Sequence, residues 1–356
     1  MNLAHRLQKR LLFNQKTAEQ VYSMLAKIDA IKGQWKLSCK LSPQIITRLK
    51  TSVLITSTGA STRIEGSKLT NDEVKKFLSK LRIKKFKTRD EQEVAGYLEL
   101  LKKVFDSWRS IAFSESAILS FHKELLKYSE KDIKHRGKYK FGQNRVEARD
   151  NKGNLIGIVF EPTQPYLVPK EMQELAEWAK EQLKNKKHPL LIIANFLFEF
   201  LAIHPFQDGN GRISRILTNF LLLKSGYEYA PYVSHEKLIE DNKVDYYLAL
   251  NKAQQTWKTK KEDSSPWILF FLKIVLKQSE LALLILTQET VEEFLSEKQT
   301  QVWEFALSKE IFQRADAIKA TKLKSRTVEQ AIKKLLDMNK LVKIGQGKAT
   351  RYKIKN

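Results

Sequence analysis

Residues 204–215 bring together side chains that could handle a phosphate group. The run holds a histidine, an aspartate, two glycines and two arginines, at His204, Asp208, Gly209, Gly211, Arg212 and Arg215. A glycine pair before a helix lets backbone N–H groups approach an anion, and the helix N-terminus adds a favourable dipole. Arginines three positions apart project from one helical face towards the same anion. An aspartate suits Mg²⁺ and a histidine accepts a proton near neutral pH. The run therefore predicts base-assisted attack of a hydroxyl on a Mg²⁺-bound di- or triphosphate.

Each part of this run also has a simpler interpretation. A histidine before Pro-Phe is usually a capped core residue, and Asp-Gly-Asn-Gly is usually a turn. His204 and Asp208 also supply half of a transition-metal site, but no nearby second His or Cys completes it. The preceding segment is not a β-strand and Gly-Lys-Ser/Thr is absent, so neither a P-loop nor a Rossmann motif fits. The phosphate site is indicated by the combination of residues rather than by any one of them.

The elements that must position this run are mostly helices. Residues 189–203 are apolar on nearly every face, which predicts a helix buried in the core. Capping residues and apolar spacing predict the other helices. These lie at 73–81 (with a capping box from Thr70 to Glu73), 90–128, 170–184, 213–224, 237–257 and 265–296. Turn chemistry at 150–154, between two β-prone runs, predicts a β-hairpin over the helical body.

The last sixty residues differ from the rest. Residues 297–356 carry 15 Lys or Arg and 6 Asp or Glu, an excess of +9. Thr327 and Gln330 are predicted to form a capping box, followed by a helix with apolar residues on one face. Residues 341–344 and 350–354 alternate like strands around a glycine-containing turn. Helices followed by a basic hairpin predict a winged helix-turn-helix.

Composition limits the classes of protein that fit. The 356 residues carry a formal net charge of +24, which favours polyanionic partners, although a lysine-rich surface in general is an equal explanation. No apolar run is long enough to span a membrane, and the first 15 residues lack a signal-peptide apolar block. Cys39 is the single cysteine, which excludes an internal disulfide framework. A cytoplasmic location without membrane contact is therefore expected.

The run from His204 to Arg215 resembles the signature of the Fic (Fic/Doc) family, HxFxDGNGRxxR, with every defining position filled. The resemblance extends from about residue 30 to residue 258. It implies a helical core and transfer of AMP from ATP to a Ser, Thr or Tyr hydroxyl of a target protein or of the protein itself. It also implies that His204 is the general base and Asp208 a ligand of Mg²⁺. The residues implied in nucleotide binding are Gly209, Asn210, Gly211, Arg212, Arg215, Tyr246, Tyr247 and Gln254.

Two further segments resemble parts of the same family. Residues 61–66, with Ser61, Glu65 and Gly66 at the defining positions, match its inhibitory signature [S/T]xxxE[G/N]. A glutamate beside Arg215 would occupy the guanidinium that should hold the γ-phosphate. The hairpin at 143–160, here called the flap, resembles the element that docks the target segment by adding a strand. Lys140 stands where the family commonly has arginine, and a purely structural hairpin is the alternative.

The predicted fold is thus mainly α, with a Fic-type helical core, a β-hairpin flap and a small C-terminal winged helix-turn-helix. Three domains are expected: an N-terminal helical region at 1–85, a catalytic domain at 86–296 and a winged helix at 297–356. The favoured function is an autoinhibited protein adenylyltransferase. The alternatives are a DNA-binding regulator that uses residues 297–356 and keeps the core as a nucleotide sensor, transfer of another phosphate-containing group, and removal of AMP from modified targets. The target protein stays open, and a homodimer is compatible with the sequence.

Overall fold

Two compact units make up the chain, one of residues 1–39 and 44–283 and the other of residues 40–43 and 284–356. The computed structural model describes residues 3–38, 43–80, 86, 88–144, 146–149, 155–185, 187–288, 295–309, 311–347 and 350–355. The first unit therefore contains both the N-terminal helices and the run from His204 to Arg215.

The first unit is built mainly from helices, which confirms the predicted fold class. Short 3-10 turns at Pro165–Leu167 and Ala230–Tyr232 connect some of them. The helices that lie wholly or mainly in it are α1 (Leu3–Lys9), α2 (Gln15–Ser38), α3 (Pro43–Ile64), α4 (Asn71–Lys80), α5 (Arg89–Ser107), α6 (Glu115–Leu125), α7 (Val168–Gln182), α8 (Pro189–Ile203), α9 (Asn210–Lys224), α10 (His235–Asp241), α11 (Lys243–Gln254) and α12 (Ser265–Gln288).

Helix α8 forms the centre of the first unit. All of its residues from Leu190 to Ile203 are buried, as expected for a helix that is apolar on every face. His188 caps its start, because the ring Nδ1 accepts a hydrogen bond from the Leu190 N–H at 3.2 Å. Helices α7 and α9 pack against it, and α5 and α6 pack against α9. The segment that follows α8 therefore starts from a rigid, fully packed support.

Several predicted helix boundaries were wrong. Helix α9 begins at Asn210 rather than at residue 213, so the glycine run partly belongs to its first turn. The predicted helix at 237–257 divides into α10 and α11 at Asn242, whose φ of −120° and ψ of 33° are not helical. The predicted helix at 90–128 likewise divides into α5 and α6, with Ser114 as the N-cap of α6. Apolar spacing continues through these breaks, so periodicity alone does not reveal them.

The two predicted capping boxes had different outcomes. Thr70 and Glu73 form one at the start of α4, with the Thr70 N–H donating to Glu73 Oε2 at 2.8 Å and the Glu73 N–H donating to Thr70 Oγ1 at 3.3 Å. The box predicted at Thr327 was wrong, because that helix begins earlier, at Ser325, with Lys324 as its N-cap. Thr327 then lies within the first turn, where its N–H is bonded to the Lys324 carbonyl.

The predicted flap is a two-stranded antiparallel hairpin of β1 (Val146–Arg149) and β2 (Leu155–Phe160). The pairing starts with Val146 opposite Phe160 and ends with Arg149 opposite Leu155, with two irregularities in register. The predicted turn at 150–154 lies outside the described residues.

The second unit combines helices with a small sheet. Its elements are α13 (Glu297–Leu307), β3 (Ile311–Phe312), α14 (Arg314–Thr321), α15 (Ser325–Asp337), β4 (Leu341–Ile344) and β5 (Arg351–Ile354). The strands form an antiparallel sheet in the order β3-β5-β4. The apolar face of α15, with Val328, Ala331, Ile332 and Leu335, is buried in the core of this unit. The predicted helix and both predicted strands are therefore present.

No helix in the described ranges combines the length and the apolar character that crossing a membrane requires.

A buried charge cluster attaches α1 to the centre of the first unit. Glu199 on α8 is fully buried and pairs with Arg6 of α1 and with Arg10, which directly follows that helix, both at 2.5 Å. Glu262 contacts both arginines as well, at 3.0 and 2.7 Å. Burial acts to raise the pKa of Glu199, but the two guanidinium groups outweigh it and lower that pKa to about 2.

We expect Glu199→Gln to destabilise the first unit by about 3 kcal/mol at neutral pH, because it leaves two buried guanidinium groups poorly compensated. The pKa of Glu199 is lower in the folded chain, so its stabilising contribution is complete above its ordinary pKa of 4.5 and is lost as the pH falls towards about 2. The stability gap between wild type and variant should therefore narrow over that range in urea titrations. Glu174→Gln, an exposed glutamate 3.9 Å from Lys170, is the control and should change little. An equal gap at every pH would contradict the ionic role.

Candidate active site

The run from residue 204 to residue 215 connects the end of α8 to the start of α9. His204 is the C-cap of α8 and adopts a left-handed backbone conformation, with φ 51° and ψ 63°. Gly209 is the N-cap of α9 with φ 85°, a conformation that glycine adopts without strain. The two helices pack against each other, so the loop between them has a defined path. This turn places the histidine and the start of α9 at the same end of the α8–α9 pair.

The side chain of Asn210 closes this loop. Its Oδ1 accepts a hydrogen bond from the Phe206 N–H at 2.9 Å, and its Nδ2 donates to the Phe206 carbonyl at 2.8 Å. Both polar atoms of the buried amide are therefore used within the loop. Asn210 was expected to contact the nucleotide, and in this arrangement its backbone N–H is the group left for that role. Asn210 therefore stabilises the loop by itself, because its amide satisfies both the N–H and the carbonyl of Phe206.

His204 has the properties of a base. Its imidazole donates to the Leu201 carbonyl, which leaves the lone pair of the other ring nitrogen available. Removal from water and the positive charge of Lys140 lower the pKa of His204 to about 4, against the opposing effects of Glu65 and Asp208. The ring is thus neutral at pH 7, and it lines a cavity described below. A neutral imidazole at a cavity wall can accept a proton from a bound hydroxyl.

Asp208 and Arg212 belong to a ring of four alternating charges. Arg212 is buried, and its guanidinium contacts Asp208 Oδ2 and Glu93 Oε2, each at 2.8 Å. Arg89, at the start of α5, contacts the same two carboxylates, Glu93 at 2.7 Å and Asp208 at 3.3 Å. Burial acts to raise the pKa of Asp208, but Arg212 and the Gly209 N–H lower it overall. Asp208 is therefore ionised, and Glu93 binds Nη1 of Arg212 while Asp208 binds Nη2.

The donor set at Asp208 fits Mg²⁺. The carboxylate is ionised and its side chain is one-third exposed, at 33%. Mg²⁺ in proteins is commonly held by one or two carboxylates, with waters and substrate phosphates completing the octahedron. Asp208 next to two arginines supplies such a carboxylate beside groups that can bind phosphate. Arg89 is 57% exposed, so it is the arginine of the pair that can move away when a cation approaches.

Arg215 is held by the segment that carries the inhibitory signature. Its Nη2 donates to Glu65 Oε1 at 2.7 Å, and its Nε donates to Ser61 Oγ at 2.8 Å. Ser61 lies in the last turn of α3, and Glu65 directly follows that helix. Partial removal from water acts to raise the pKa of Glu65, but Arg215 and then Arg212 lower it overall. Glu65 is thus an ionised partner of Arg215. The arginines at 212 and 215 have separate partners and do not share one anion here.

Gly211 is the position that lets Glu65 come so close. A Cβ atom added at residue 211 would lie 2.1 Å from Glu65 Oε1 and 3.3 Å from Arg215 Nη1. The carboxylate therefore lies directly against the first turn of α9, where the exposed N–H groups and the helix dipole favour an anion. Gly66 has φ 104°, which turns the chain sharply after Glu65. The carboxylate occupies the place that the sequence predicts for a phosphate.

A cavity of about 280 Å³ adjoins these groups. Residues from the predicted site form much of its wall, together with Leu250 and Asn251 of α11. Tyr246 and Gln254 are buried, whereas Tyr247 is partly exposed at 43%. The predicted residues that line the cavity are Glu65, His204, Gly211, Tyr246, Tyr247 and Gln254. Separate parts of the sequence thus meet at one cavity, whose wall contains the His204 imidazole and the rings of Tyr246 and Tyr247.

Two residues of the site were missed from the sequence. Glu93, which holds Arg212, is one of several acidic residues at the start of α5 and has no local feature that distinguishes it. His122, on α6, is fully buried; its Nε2 donates to the Asp208 carbonyl at 3.1 Å, and its Nδ1 accepts from the Gly137 N–H at 3.0 Å. Burial lowers the pKa of His122 to about 4, so this ring stays neutral and supports the loop. The one signal that the sequence offers for His122 is a histidine at a position that helical spacing predicts to be buried.

Comparison with known proteins identifies the class of the domain that holds this site. Residues 112–222 match the model of the Fic/DOC family, so the chain carries a Fic domain. The fold of the whole chain is also similar to that of a solved Fic family protein from Desulfovibrio desulfuricans G20. That likeness has a TM-score of 0.61 and 19% sequence identity, and covers 98% of each chain.

Two curated relatives are similar over shorter stretches. One is a protein of Aquifex aeolicus (strain VF5) named as a probable protein adenylyltransferase, 36% identical over 85 residues, which are 24% of this chain and 26% of that protein. The other is the protein adenylyltransferase Fic of Drosophila mojavensis, 43% identical over 56 residues, which are 16% of this chain and 11% of that protein. The chain thus matches about a quarter or less of the length of either relative.

Proposed function

We propose that the protein is an autoinhibited protein adenylyltransferase that moves AMP from ATP to a hydroxyl of a target protein. One observation carries the proposal: a neutral histidine and an anion-binding helix start line the same cavity, in a Fic domain whose relatives are named as adenylyltransferases. The aromatic wall at Tyr246 and Tyr247 suits a nucleotide base, and the arginines suit its phosphates. The cavity of about 280 Å³ is large enough for part of a nucleotide.

In the proposed reaction, His204 accepts the proton of a Ser, Thr or Tyr hydroxyl as its oxygen attacks the α-phosphorus of ATP. A new oxygen–phosphorus bond forms, the bond from the α-phosphorus to the bridging oxygen breaks, and pyrophosphate leaves. Mg²⁺ at Asp208 would neutralise charge on the phosphates. Arg212, held by Glu93, and the first turn of α9 would orient the triphosphate in line with the attacking oxygen. The flap would present the target segment as an added strand.

Glu65 would keep the resting protein inactive. Its carboxylate holds the Arg215 guanidinium at 2.7 Å and lies against the first turn of α9, so a γ-phosphate cannot use the same groups. ATP could then bind only in a pose that is wrong for in-line attack. Activation would require α3 to move Glu65 away. Contacts that hold the end of α3 include Arg63 Nε with Glu240 at 2.6 Å and Ser57 with Ser234 at 2.8 Å.

Labelled nucleotides test this function directly. The Glu65→Gly protein, with Glu65→Gly/His204→Ala as its matched control, is incubated with a cell lysate and ATP labelled on either the α- or the γ-phosphorus. Adenylyl transfer should label protein bands from α-labelled ATP only, and only when His204 is present. Label from the γ-phosphorus would instead indicate phosphoryl transfer. Parallel reactions with α-labelled GTP, CTP and UTP identify the base, and mass spectrometry identifies the modified hydroxyl.

The removal reaction shares the same site and has its own assay. Glu65 lines the cavity beside His204, so the carboxylate could position a water on an AMP-modified side chain. Protein labelled by the Glu65→Gly variant is purified, separated from that variant and incubated with wild type or with Glu65→Gly. Release of AMP by wild type alone would favour removal as the main activity. Stable label with both proteins would favour transfer.

A second candidate function concerns the second unit, which we propose to be a winged helix-turn-helix that contacts DNA. The observation that favours it is the outer face of α15, where Arg326, Gln330 and Lys333 are exposed opposite the buried apolar face. Arg351 on β5 is exposed as well, while Lys348 of the same hairpin lies outside the described residues. A basic helix face beside a basic hairpin suits phosphate contact. The core would then act as a nucleotide sensor.

If the second unit binds DNA, the full-length protein should shift duplex DNA in a gel, and the shift should weaken steeply as salt rises. The Arg326→Ala/Lys333→Ala variant should bind about tenfold or more weakly at low salt, with a shallower salt dependence. Lys16→Ala/Lys36→Ala removes the same charge from exposed positions of α2 and should bind like wild type. Equal loss in both variants would indicate a general effect of net charge and would contradict a defined surface.

A further inference from the structure

The loop that leads into the flap is bonded to the backbone on both sides of His204. The Lys140 N–H donates to the Pro205 carbonyl at 2.8 Å, and Lys140 Nζ donates to the Ile203 carbonyl at 3.2 Å. Asn144 Nδ2 donates to the Phe206 carbonyl at 2.9 Å. Three consecutive bonds therefore attach residues 140–144 to the carbonyls that flank the histidine.

Lys140 and Asn144 also hold each other. Lys140 Nζ donates to Asn144 Oδ1 at 2.7 Å, so the two side chains form one unit rather than two separate contacts. Lys140 is buried, with 3% of its surface exposed. A buried ammonium is costly unless its donors are used, and here they bond a helix-terminal carbonyl and an amide oxygen. The last carbonyls of a helix also favour a positive charge. The cost of burying Lys140 suggests a role beyond packing.

The backbone that this pair holds is an unfavourable one. His204 is one of four residues other than glycine with positive φ among the described ranges. A left-handed conformation costs an ordinary residue about 1–2 kcal/mol and persists only where its surroundings enforce it. The side chain of Asn210 holds the later part of the loop through Phe206. Lys140 and Asn144 hold the part of the loop next to the histidine, through the carbonyls of Ile203, Pro205 and Phe206.

These contacts also connect the base to the flap. Asn144 lies two residues before the first residue of β1, Val146. If β1 shifts when a target strand pairs with the flap, Asn144 would therefore shift as well. Asn144 bonds the Phe206 carbonyl directly and reaches the Ile203 carbonyl through Lys140. Lys140 adds an electrostatic effect, because its charge disfavours a protonated imidazole at His204.

We propose that Lys140 and Asn144 are positioning residues that hold His204 in its reactive left-handed conformation and couple the base to the flap. The proposal rests on the adenylyl transfer proposed above and deepens it. Replacing either positioning residue should lower the rate of the chemical step and leave the affinity for the nucleotide unchanged, because neither side chain lines the cavity.

The test uses the full chain with Glu65→Gly, to which Lys140→Met, Lys140→Arg or Asn144→Ala is added. Methionine keeps the length and the apolar stem of lysine but has no donor. We expect Lys140→Met to lower kcat for AMP transfer by about tenfold to a hundredfold, since small errors in the placement of a catalytic group have effects of that size. KM for ATP should change less than about twofold. Arginine retains positive donors and should restore most of the lost rate. Lys138→Met, an exposed lysine in the same loop, is the control.

A second measurement separates this role from a general loss of structure. The imidazole of His204 faces Lys140, Glu65 and Asp208, and Lys140 is the only one of these that lowers its pKa. Removing that charge should raise the pKa of His204, measured by NMR and by the acid limb of the kcat profile. Lys140→Arg should leave both unchanged. Asn144→Ala should lower kcat without shifting the pKa of His204. Because the two side chains hold each other, kcat of the Lys140→Met/Asn144→Ala variant should fall by less than the product of the two single decreases.

These experiments distinguish failure of the positioning role from failure of the proposed adenylyl transfer. If Glu65→Gly transfers AMP, and Glu65→Gly/Lys140→Met transfers it equally well with an unchanged pH profile, the positioning role of Lys140 is wrong. A loss that appears in KM for ATP, or one that Lys140→Arg does not restore, also overturns it. If Glu65→Gly transfers nothing, the adenylyltransferase proposal fails, while the NMR titration of His204 still tests the electrostatic effect of Lys140 on the imidazole.

Discussion

Replacing Glu65 by glycine is expected to raise AMP transfer, including self-modification, by about tenfold to a hundredfold. The variant removes the carboxylate that holds Arg215 Nη2 at 2.7 Å and lies against Gly211. The guanidinium and the first turn of α9 would then be available to the triphosphate. Incorporation of α-labelled AMP into protein, measured as an initial rate at saturating ATP, is the readout.

Glu65→Gln provides a graded comparison for the same position. Glutamine keeps the shape of the side chain and can still accept a hydrogen bond from Arg215, but it lacks the charge that makes this contact strong. Its rate should therefore lie between those of wild type and Glu65→Gly. Glu65→Gly/His204→Ala controls for transfer that does not depend on the base. If Glu65→Gly incorporates no more label than wild type, the inhibitory role of Glu65 is wrong.

Replacing His204 is expected to abolish most transfer in the Glu65→Gly background, with a loss of about a hundredfold to ten-thousandfold. The imidazole is the neutral base that lines the cavity, while Arg212, Arg215 and the glycine turn are left in place. ATP binding, measured by calorimetry, should therefore change less than about twofold. This combination of lost rate and retained binding would show that the histidine acts in the chemical step.

The left-handed backbone of His204 requires a second variant. Alanine is strained at φ 51°, so His204→Ala could disturb the loop as well as remove the base. Asparagine tolerates this conformation better but cannot act as a base near neutral pH. Both variants should lose activity to a similar extent. An active His204→Asn protein would remove His204 as the base.

The pH dependence of kcat should also reflect the role of His204 as the base. Removal from water and the charge of Lys140 lower the pKa of His204 to about 4. Because only the neutral imidazole can accept a proton, kcat should persist well below the ordinary histidine pKa of 6.5. The charge of Glu65 raises the pKa of His204, so in the Glu65→Gly background the fall of kcat should lie no higher than about pH 4.

The contrast between Arg212 and Arg215 shows what spacing could and could not predict. Three residues apart on one helix, they were expected to serve one anion. In the structure each has its own carboxylates: Glu93 and Asp208 hold Arg212, and Glu65 holds Arg215. Helical spacing defines the face on which a side chain lies, but its partner comes from whichever helix packs beside it.

The sequence by itself determined the local features of this protein. The run from His204 to Arg215, the helical character of the chain, the hairpin and the inhibitory signature each depend on residues close together along the chain, where residue type and spacing act directly. The family of the central domain could be recognised for the same reason.

Only the tertiary structure decided which of these features meet. It placed the carboxylate of Glu65 against Gly211, 146 positions away in the chain, and it assigned Lys140 and Asn144 to the carbonyls around His204. It also gave the asparagine of the glycine run a role in closing its own loop. Such pairings depend on how buried helices pack in three dimensions, and the apolar patterns that drive this packing are too similar among helices to specify each polar contact.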